Sequence, residues 1–261
     1  MNLLNYGAGS NIGNIRSLNE DFFSTEPELG LWIVADGMGG HQGGETASAI
    51  AVDFIVNHVK KGEPLSTSIA SAHHFIKEES ERGRGPDGMG TTVVALRTMD
   101  SHNEIAWVGD CRAYLWDGVY LTQLTKDHSY VQHLVDTGVL SANEMNHHPY
   151  QDILIQALGA KDIHDVSVDT VSHEWHQHEQ ILLCSDGLTK ELKSDDIADV
   201  LSLPITEQEK VDSLIHMALQ KGGKDNITAI LISAHNTAPV KPTEQDTEPM
   251  HADNIHPQKK R

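Results

Sequence analysis

Positive charge is scarce in this 261-residue chain: 19 Lys and Arg stand against 38 Asp and Glu, a formal net charge of −19. Phosphate backbones and acidic lipids are held by Lys and Arg, so this balance argues against a nucleic-acid or anionic-membrane surface. Cysteine is nearly absent too. Cys111 and Cys184, the two in the chain, sit in separate apolar stretches. That excludes a disulfide framework and a thiolate metal centre, and predicts buried, reduced thiols. No apolar run nears the ~20 residues needed to cross a bilayer. The opening Met1-Asn2-Leu3-Leu4-Asn5-Tyr6 has neither the basic nor the apolar region of a secretory leader, so a cytoplasmic protein is expected.

Proline is sparse until the end, where four of the nine fall within the last 26 residues. Apolar periodicity stops there, and residues 236–261 read as a disordered tail. The tail's charges cancel: Glu244, Asp246, Glu248 and Asp253 against Lys241, Lys259, Lys260 and Arg261. The negative excess therefore belongs to residues 1–235, long enough to form one large domain.

Within that body, helical and strand patterns alternate without regular βαβ units. Ala47, Ile50, Ala51, Phe54, Ile55 and His58 recur at helical spacing, and Ile69, Ala72 and Ile76 mark a second helix. Val93–Leu96, Ile105–Val108, Ala113–Trp116 and Val119–Leu124 read as consecutive strands, with Asp117-Gly118 as a two-residue hairpin turn. Two short helices follow. One carries Val131, Leu134 and Val135 and stops at Gly138; the other opens on the capping box Ser141-Ala142-Asn143-Glu144. Ile181–Cys184 is a further strand, Ser194 caps a helix through Leu201, and Thr206 to Glu209 is a second capping box. It opens a helix closed by Gly222, before a last strand, Ile227–Ile232. Antiparallel strands between helix pairs predict an α+β layered domain.

Carboxylates stand at the ends of these strands. Leu31 to Ala35 runs into Asp36-Gly37-Met38-Gly39-Gly40, Ile105 to Val108 into Gly109-Asp110, and Ile181 to Cys184 into Ser185-Asp186-Gly187. Asp225 stands just before the last strand, and Glu20-Asp21 precede an aromatic pair. Each alone is an ordinary turn former. Gathered at one edge of a core, they would repel unless cations held them, and an all-oxygen donor set selects hard ions such as Mg or Mn. Arg16, five residues before Asp21, has the planar fork that grips phosphate, although a surface Arg paired with Glu20 would look the same.

Eight segments in order carry a family pattern: Arg16 to Asp21, Val34 to His41, Gly90-Thr91-Thr92, Val108 to Tyr114, Leu124 to Ser129, Ala157-Leu158-Gly159, Cys184 to Thr189 and Lys224 to Thr228. Together they resemble the metal-dependent protein phosphatases of the protein phosphatase 2C type in their bacterial form, over about residues 7–234. The resemblance implies a four-layer α/β/β/α sandwich and a cytoplasmic, monomeric Ser/Thr protein phosphatase. Its substrates would be phosphorylated proteins, in opposition to a bacterial Ser/Thr kinase. It implies two Mn or Mg ions that activate a water for in-line attack, with no phosphoenzyme. Asp36 would bridge the ions, the Gly37 carbonyl would bind the second, and Asp186 and Asp225 the first. Glu20 and Asp21 would hold ion-bound waters or complete the second site. Arg16 would clamp the phosphate, and Asp110 would help hold a weaker third ion beside Asp186. The segment from about 127 to 153 resembles the family's flap over the site.

The sequence departs from the family at two positions. Met38 stands where eukaryotic members commonly carry His, which leaves the leaving-group acid unassigned; His41 is near, and also suits a helix cap. Lys190 stands where many members carry Asp, and its charge would weaken a third-ion site. Three other readings remain, one of them a phosphatase of the same fold acting in a sigma-factor partner switch. A catalytically weak regulatory member would keep the fold, but Asp36, Asp186, Asp225 and Arg16 are intact. A two-metal nuclease is disfavoured by the acidic body. His176 and His178 have the spacing to chelate a metal from one strand face, but Glu174 and Glu179 beside them favour a solvated segment.

Overall fold

The computed structural model describes residues 4–39, 43–99 and 102–234; His41 and the tail expected at 236–261 lie outside them. In chain order the strands are β1 (Asn5–Asn11), β2 (Asp21–Glu26), β3 (Leu31–Met38), β4 (Gly90–Thr91), β5 (Val93–Thr98), β6 (Asn103–Val108), β7 (Arg112–Trp116), β8 (Leu121–Gln123), β9 (Asp169–His173), β10 (Gln180–Cys184) and β11 (Ile227–Ser233). The helices are α1 (Gly43–Lys60), α2 (Leu65–Glu81), α3 (Tyr130–Asp136), α4 (Asp186–Glu191), α5 (Ser194–Leu201) and α6 (Glu207–Lys221). One sheet runs β1-β11-β10-β7-β8 and the other β2-β3-β5-β6-β9, with β4 added to β3. Every pairing between these strands is antiparallel.

The apolar runs show why two sheets stack with helices outside. Successive strand side chains point to opposite faces. In β3, Leu31, Ile33 and Ala35 join a core with Ala51 and Ile55 of α1 and Ile69 and Ile76 of α2. Trp32 and Val34, between them, face the second sheet, where they meet Ile181, Leu183, Ile230 and Ile232. On the far side, Leu182, Cys184, Ala229 and Leu231 pack under Val211 and Leu214 of α6 and Ile197 and Val200 of α5. The central strands are thus covered on both faces, so they read as continuous apolar runs rather than alternating ones. Each Leu, Ile or Val sealed in this way contributes roughly 1.5–3 kcal/mol of transfer free energy. The expected four-layer α/β/β/α sandwich is what forms. Cys111 and Cys184 are free and buried, as expected. Among the described residues no helix is long and apolar enough to cross a membrane.

Several local expectations need correction. Trp116 pairs with Leu121, so the β7–β8 turn holds four residues rather than two. The Asp117 carboxylate accepts the Val119 and Tyr120 amides at 2.8 and 2.7 Å, which closes a wider turn and leaves both side chains exposed. The capping box at Ser141 is present, but it opens a 3-10 turn, Ala142–His147, rather than an α-helix. Ser194 is the first residue of α5 and not its cap; Asp196 reaches back to the Lys193 amide at 2.8 Å. Glu179 is buried, not solvated, and meets the His173 ring at 2.7 Å and the His176 amide at 2.8 Å.

Candidate metal and phosphate site

The predicted carboxylates collect at one end of the sandwich, and each is delivered by a different element. β3 runs on past Ala35 to Met38, so Asp36 lies within the strand and is register-paired with Asp21, the first residue of β2. Asp110 sits in the β6–β7 turn after Gly109, whose φ of 104° favours glycine. Asp186 opens α4 directly beyond β10, and Asp225 precedes β11. Gly37 donates its amide to the Glu20 carbonyl at 3.1 Å. A side chain at Gly37 would collide with the Gly44 and Glu20 backbone, so the start of α1 comes close against this edge only because both positions are glycine.

Burial and proximity set the electrostatics of these acids. Burial pushes Asp36 well above the ordinary carboxylate range, and the charges of Asp21, Asp186, Asp110 and Asp225 push it further. Burial likewise lifts Asp21 to about 7, against hydrogen bonds from Thr228 and Ser185 that favour its charged form. Asp110 rises to about 8 through burial and the charges of Asp186 and Asp127. Asp186 is raised by burial, with Lys190 acting in the opposite direction. These acids resist ionising together until positive charge joins them.

Two cations do so. The Arg16 fork, in the loop between β1 and β2, grips Asp225 through Nε at 2.8 Å and Nη2 at 2.9 Å, with its side chain 48% exposed. The Lys190 ammonium lies 2.6 Å from Asp186, 3.4 Å from Asp225 and 3.4 Å from Asp152. Asp152 belongs to the segment between the Ser129↔Leu154 bridge partners. The Tyr130 amide donates to the Ile153 carbonyl at 2.8 Å, and the Ile155 amide to that of His128 at 2.8 Å. The expected flap is thus a loop pinched at its neck. A cleft of about 910 Å³ lies between it and the carboxylates, lined by Arg16, Asp110, Asp152, Asp186, Lys190 and Asp225 among others.

The residues suit a hard divalent cation. Glu20 Oε1, Asp21 Oδ1 and Asp186 Oδ1 are buried oxygens without a hydrogen-bond partner. Orphaned acceptors of this kind are costly, and an oxygen-seeking ion satisfies them. Among the described residues, though, no three His, Cys, Asp or Glu side chains already form a closed ion cage, at the histidines or here. The acids share a neighbourhood, while Asp186 and Asp225 are turned onto Lys190 and Arg16.

Sequence reasoning missed the residues that hold this constellation in place. Asn226 accepts the Glu20 amide at 2.8 Å and donates to the Ile12 and Leu18 carbonyls, each at 2.9 Å. It ties the Arg16 loop to the start of β11. Ser185 and Thr228 donate to Asp21 at 2.8 and 2.7 Å. The signal was their adjacency to Asp186 and Asp225 in Ser185-Asp186 and Asp225-Asn226-Ile227-Thr228. Arg112, which lines the cleft, is occupied by a two-pronged pair with Asp127 at 2.9 and 2.6 Å.

The chain is similar to known phosphatases in sequence and in fold. The sequence profile described as protein phosphatase 2C matches residues 14–231. The serine/threonine phosphatase stp of Listeria monocytogenes is 38% identical over an alignment of 233 residues that covers 84% of this chain and 92% of that protein. The Mycobacterium tuberculosis serine/threonine phosphatase PstP/Ppp superposes with a TM-score of 0.81 at 33% identity, covering 89% of this chain and 99% of that one. A crystal structure of the PstP catalytic domain in complex with two manganese ions gives a TM-score of 0.76 at 31% identity, over 88% of this chain and 97% of that one.

Proposed function

Because this chain belongs to the protein phosphatase 2C family, we propose that it is an Mn- or Mg-dependent phosphatase of phosphoserine and phosphothreonine in proteins. The observation that carries the reading is the pairing of an exposed Arg16 fork with buried, partnerless oxygens of Glu20, Asp21 and Asp186 at one end of the sandwich. Asp36, Asp186 and Asp225, with the Gly37 carbonyl, would hold two ions. Glu20 and Asp21 would orient water around them, and Asp110 would help hold a weaker third ion. When bound, such ions supply Lewis acidity: they lower the pKa of water and neutralise charge on phosphate oxygens.

The chain's own residues supply the rest. Arg16 is half-exposed and held by Asp225 along its Nε–Nη2 edge, so the remaining N–H groups of its guanidinium would meet the phosphoryl oxygens and fix the phosphorus for in-line attack. Ser185 and Thr228 hold one oxygen of the buried Asp21 and leave the other free for an ion or its water. The neck-pinched loop over the cleft, residues 127–153, would select among phosphoprotein substrates. No side chain is required as nucleophile, so no phosphoenzyme forms. The bacterial relatives suggest phosphoproteins made by a Ser/Thr kinase as substrates. A cytoplasmic monomer with the domain in residues 1–235 suits that role.

The test is hydrolysis of p-nitrophenyl phosphate and of a phosphothreonine peptide with and without Mn. Metal-dependent turnover that vanishes in Asp36→Asn supports the reading, and turnover that survives in Asp36→Asn or in chelator overturns it. A catalytically weak regulatory member is the second reading, favoured by the Lys190 contact with Asp186 and Asp225. Turnover by the wild type excludes it.

A further inference from the structure

The lysine at position 190 makes more contacts than a helix-surface pair requires. Asp186 and Lys190 are spaced as one turn of α4, and such an i,i+4 pair at an exposed site contributes little. Here the ammonium also meets Asp225 from before β11 and Asp152 from the 127–153 loop. Three carboxylates from three parts of the chain share one cation. Facing it are the acids Asp186 and Asp225, proposed above as ion ligands, and Asp152, which is not. Burial disfavours the charge on Lys190, but Asp186, Asp225 and Asp152 more than reverse this, so it stays an ammonium.

A divalent cation bound by Asp186 and Asp225 must claim oxygens that Lys190 now holds, and it repels the ammonium at close range. Of the three acids in contact with Lys190, Asp152 is the one such an ion leaves free. We infer that Lys190 is a tethered counter-cation that competes with divalent ions for Asp186 and Asp225, and that ion loading transfers it to Asp152, coupling occupancy of the site to the 127–153 loop. The inference rests on the metal-dependent reading above and adds a positioning role to a residue outside the ligand set. Its chemistry is exchange of ionic contacts, with no bond made or broken.

The test is a calorimetric Mn titration of the full chain in three forms: wild type, Lys190→Met and Lys190→Arg. Loss of the competing charge should tighten the first Mn by about tenfold in Lys190→Met, while Lys190→Arg stays near wild type. Hydrogen exchange of the Tyr150–Leu154 amides gives the second readout. Mn should change their protection in the wild type and leave it unchanged in Lys190→Met and in Asp152→Asn. If Lys190→Met fails to fold, Lys190→Gln removes the same charge with retained polarity. Equal Mn affinity in wild type and the neutral variant overturns the competition. An Mn response of the loop that persists in Asp152→Asn overturns the coupling. Absence of Mn binding in every form overturns the metal-dependent reading along with both.

Discussion

Asp21 and Asp36 stand directly opposite each other on adjacent antiparallel strands, two acids in register at the point where β2 leaves the Arg16 loop. Like charges placed this way destabilise a sheet. The fold keeps them because Ser185 and Thr228 steady Asp21, and because protons or cations relieve the repulsion.

The pH dependence of stability follows from that arrangement. Asp21 and Asp110 rise from an ordinary 3.8 to about 7 and about 8 in the folded chain. A group with a raised folded pKa contributes stability that is complete below its unfolded value and is lost as pH rises through the folded one. In chelator, the melting temperature should therefore fall between about pH 4 and pH 8. Saturating Mn should flatten this slope, and Asp21→Asn should remove part of it. Thermal melts at pH 5 and pH 8, with and without Mn, check the expectation.

Asp36→Asn should separate activity from stability. The amide cannot match a carboxylate as an ion ligand, so Mn-dependent turnover should drop by more than the ~10–100-fold typical of outer-shell changes around metals. Yet the melting temperature in chelator at pH 8 should hold or rise, since one buried negative charge is gone. Paired kinetic and thermal measurements test this; a variant that loses activity only because it unfolds would contradict it.

Arg16→Ala should act on phosphate more than on metal. We expect kcat/KM for phosphopeptide to fall by about 10²-fold, the order seen when one charge-stabilising donor is removed. Mn binding should persist and, by the competition argued for Lys190, hold or tighten, because Arg16 gives up its grip on the Asp225 carboxylate. Arg16→Lys should recover only part of the loss, since an ammonium cannot reproduce the planar fork. Kinetics alongside Mn calorimetry distinguish this from general damage.

Asn226→Ala should loosen the whole site. It removes three hydrogen bonds, to the Glu20 amide and the Ile12 and Leu18 carbonyls. At ~0.5–1.5 kcal/mol each, the cost is about 3 kcal/mol, or roughly 6–12 °C in melting temperature for a domain of this size. Turnover should fall as well, because the Arg16 loop loses its register against Asp225. An unchanged melt would show that the loop holds itself.

Legibility in the sequence followed the physics of each element. The central strands were readable because burial on both faces leaves continuous apolar runs, as in Leu31–Ala35 and Ile181–Cys184. Capping boxes at Ser141 and Thr206 were readable because they are local hydrogen-bond chemistry. β1 was not. Its Asn-Tyr-Gly-Ala-Gly-Ser-Asn sequence carries little apolar signal, and it is a strand because it pairs with β11 and because Gly7 lets the α6 backbone come close. The end of β3 was misplaced for a related reason: Asp36, Gly37 and Met38 look like a turn but are paired by Asp21, Thr91 and Gly90 from elsewhere. At the site, the acids were visible as residue types at strand ends. The triple contact of Lys190 and the stitching by Asn226 depend on distant segments meeting, which no local pattern records.

The Arg16–Asp225 contact joins residues 209 positions apart, and β1 pairs with β11. A ribosome releases the amino end first, so a nascent chain exposes Arg16 and Asp36 long before the segment bearing Asp225 emerges. A chain cut short before Asp225 therefore lacks both the carboxylate that aims Arg16 and the strand that pairs with β1.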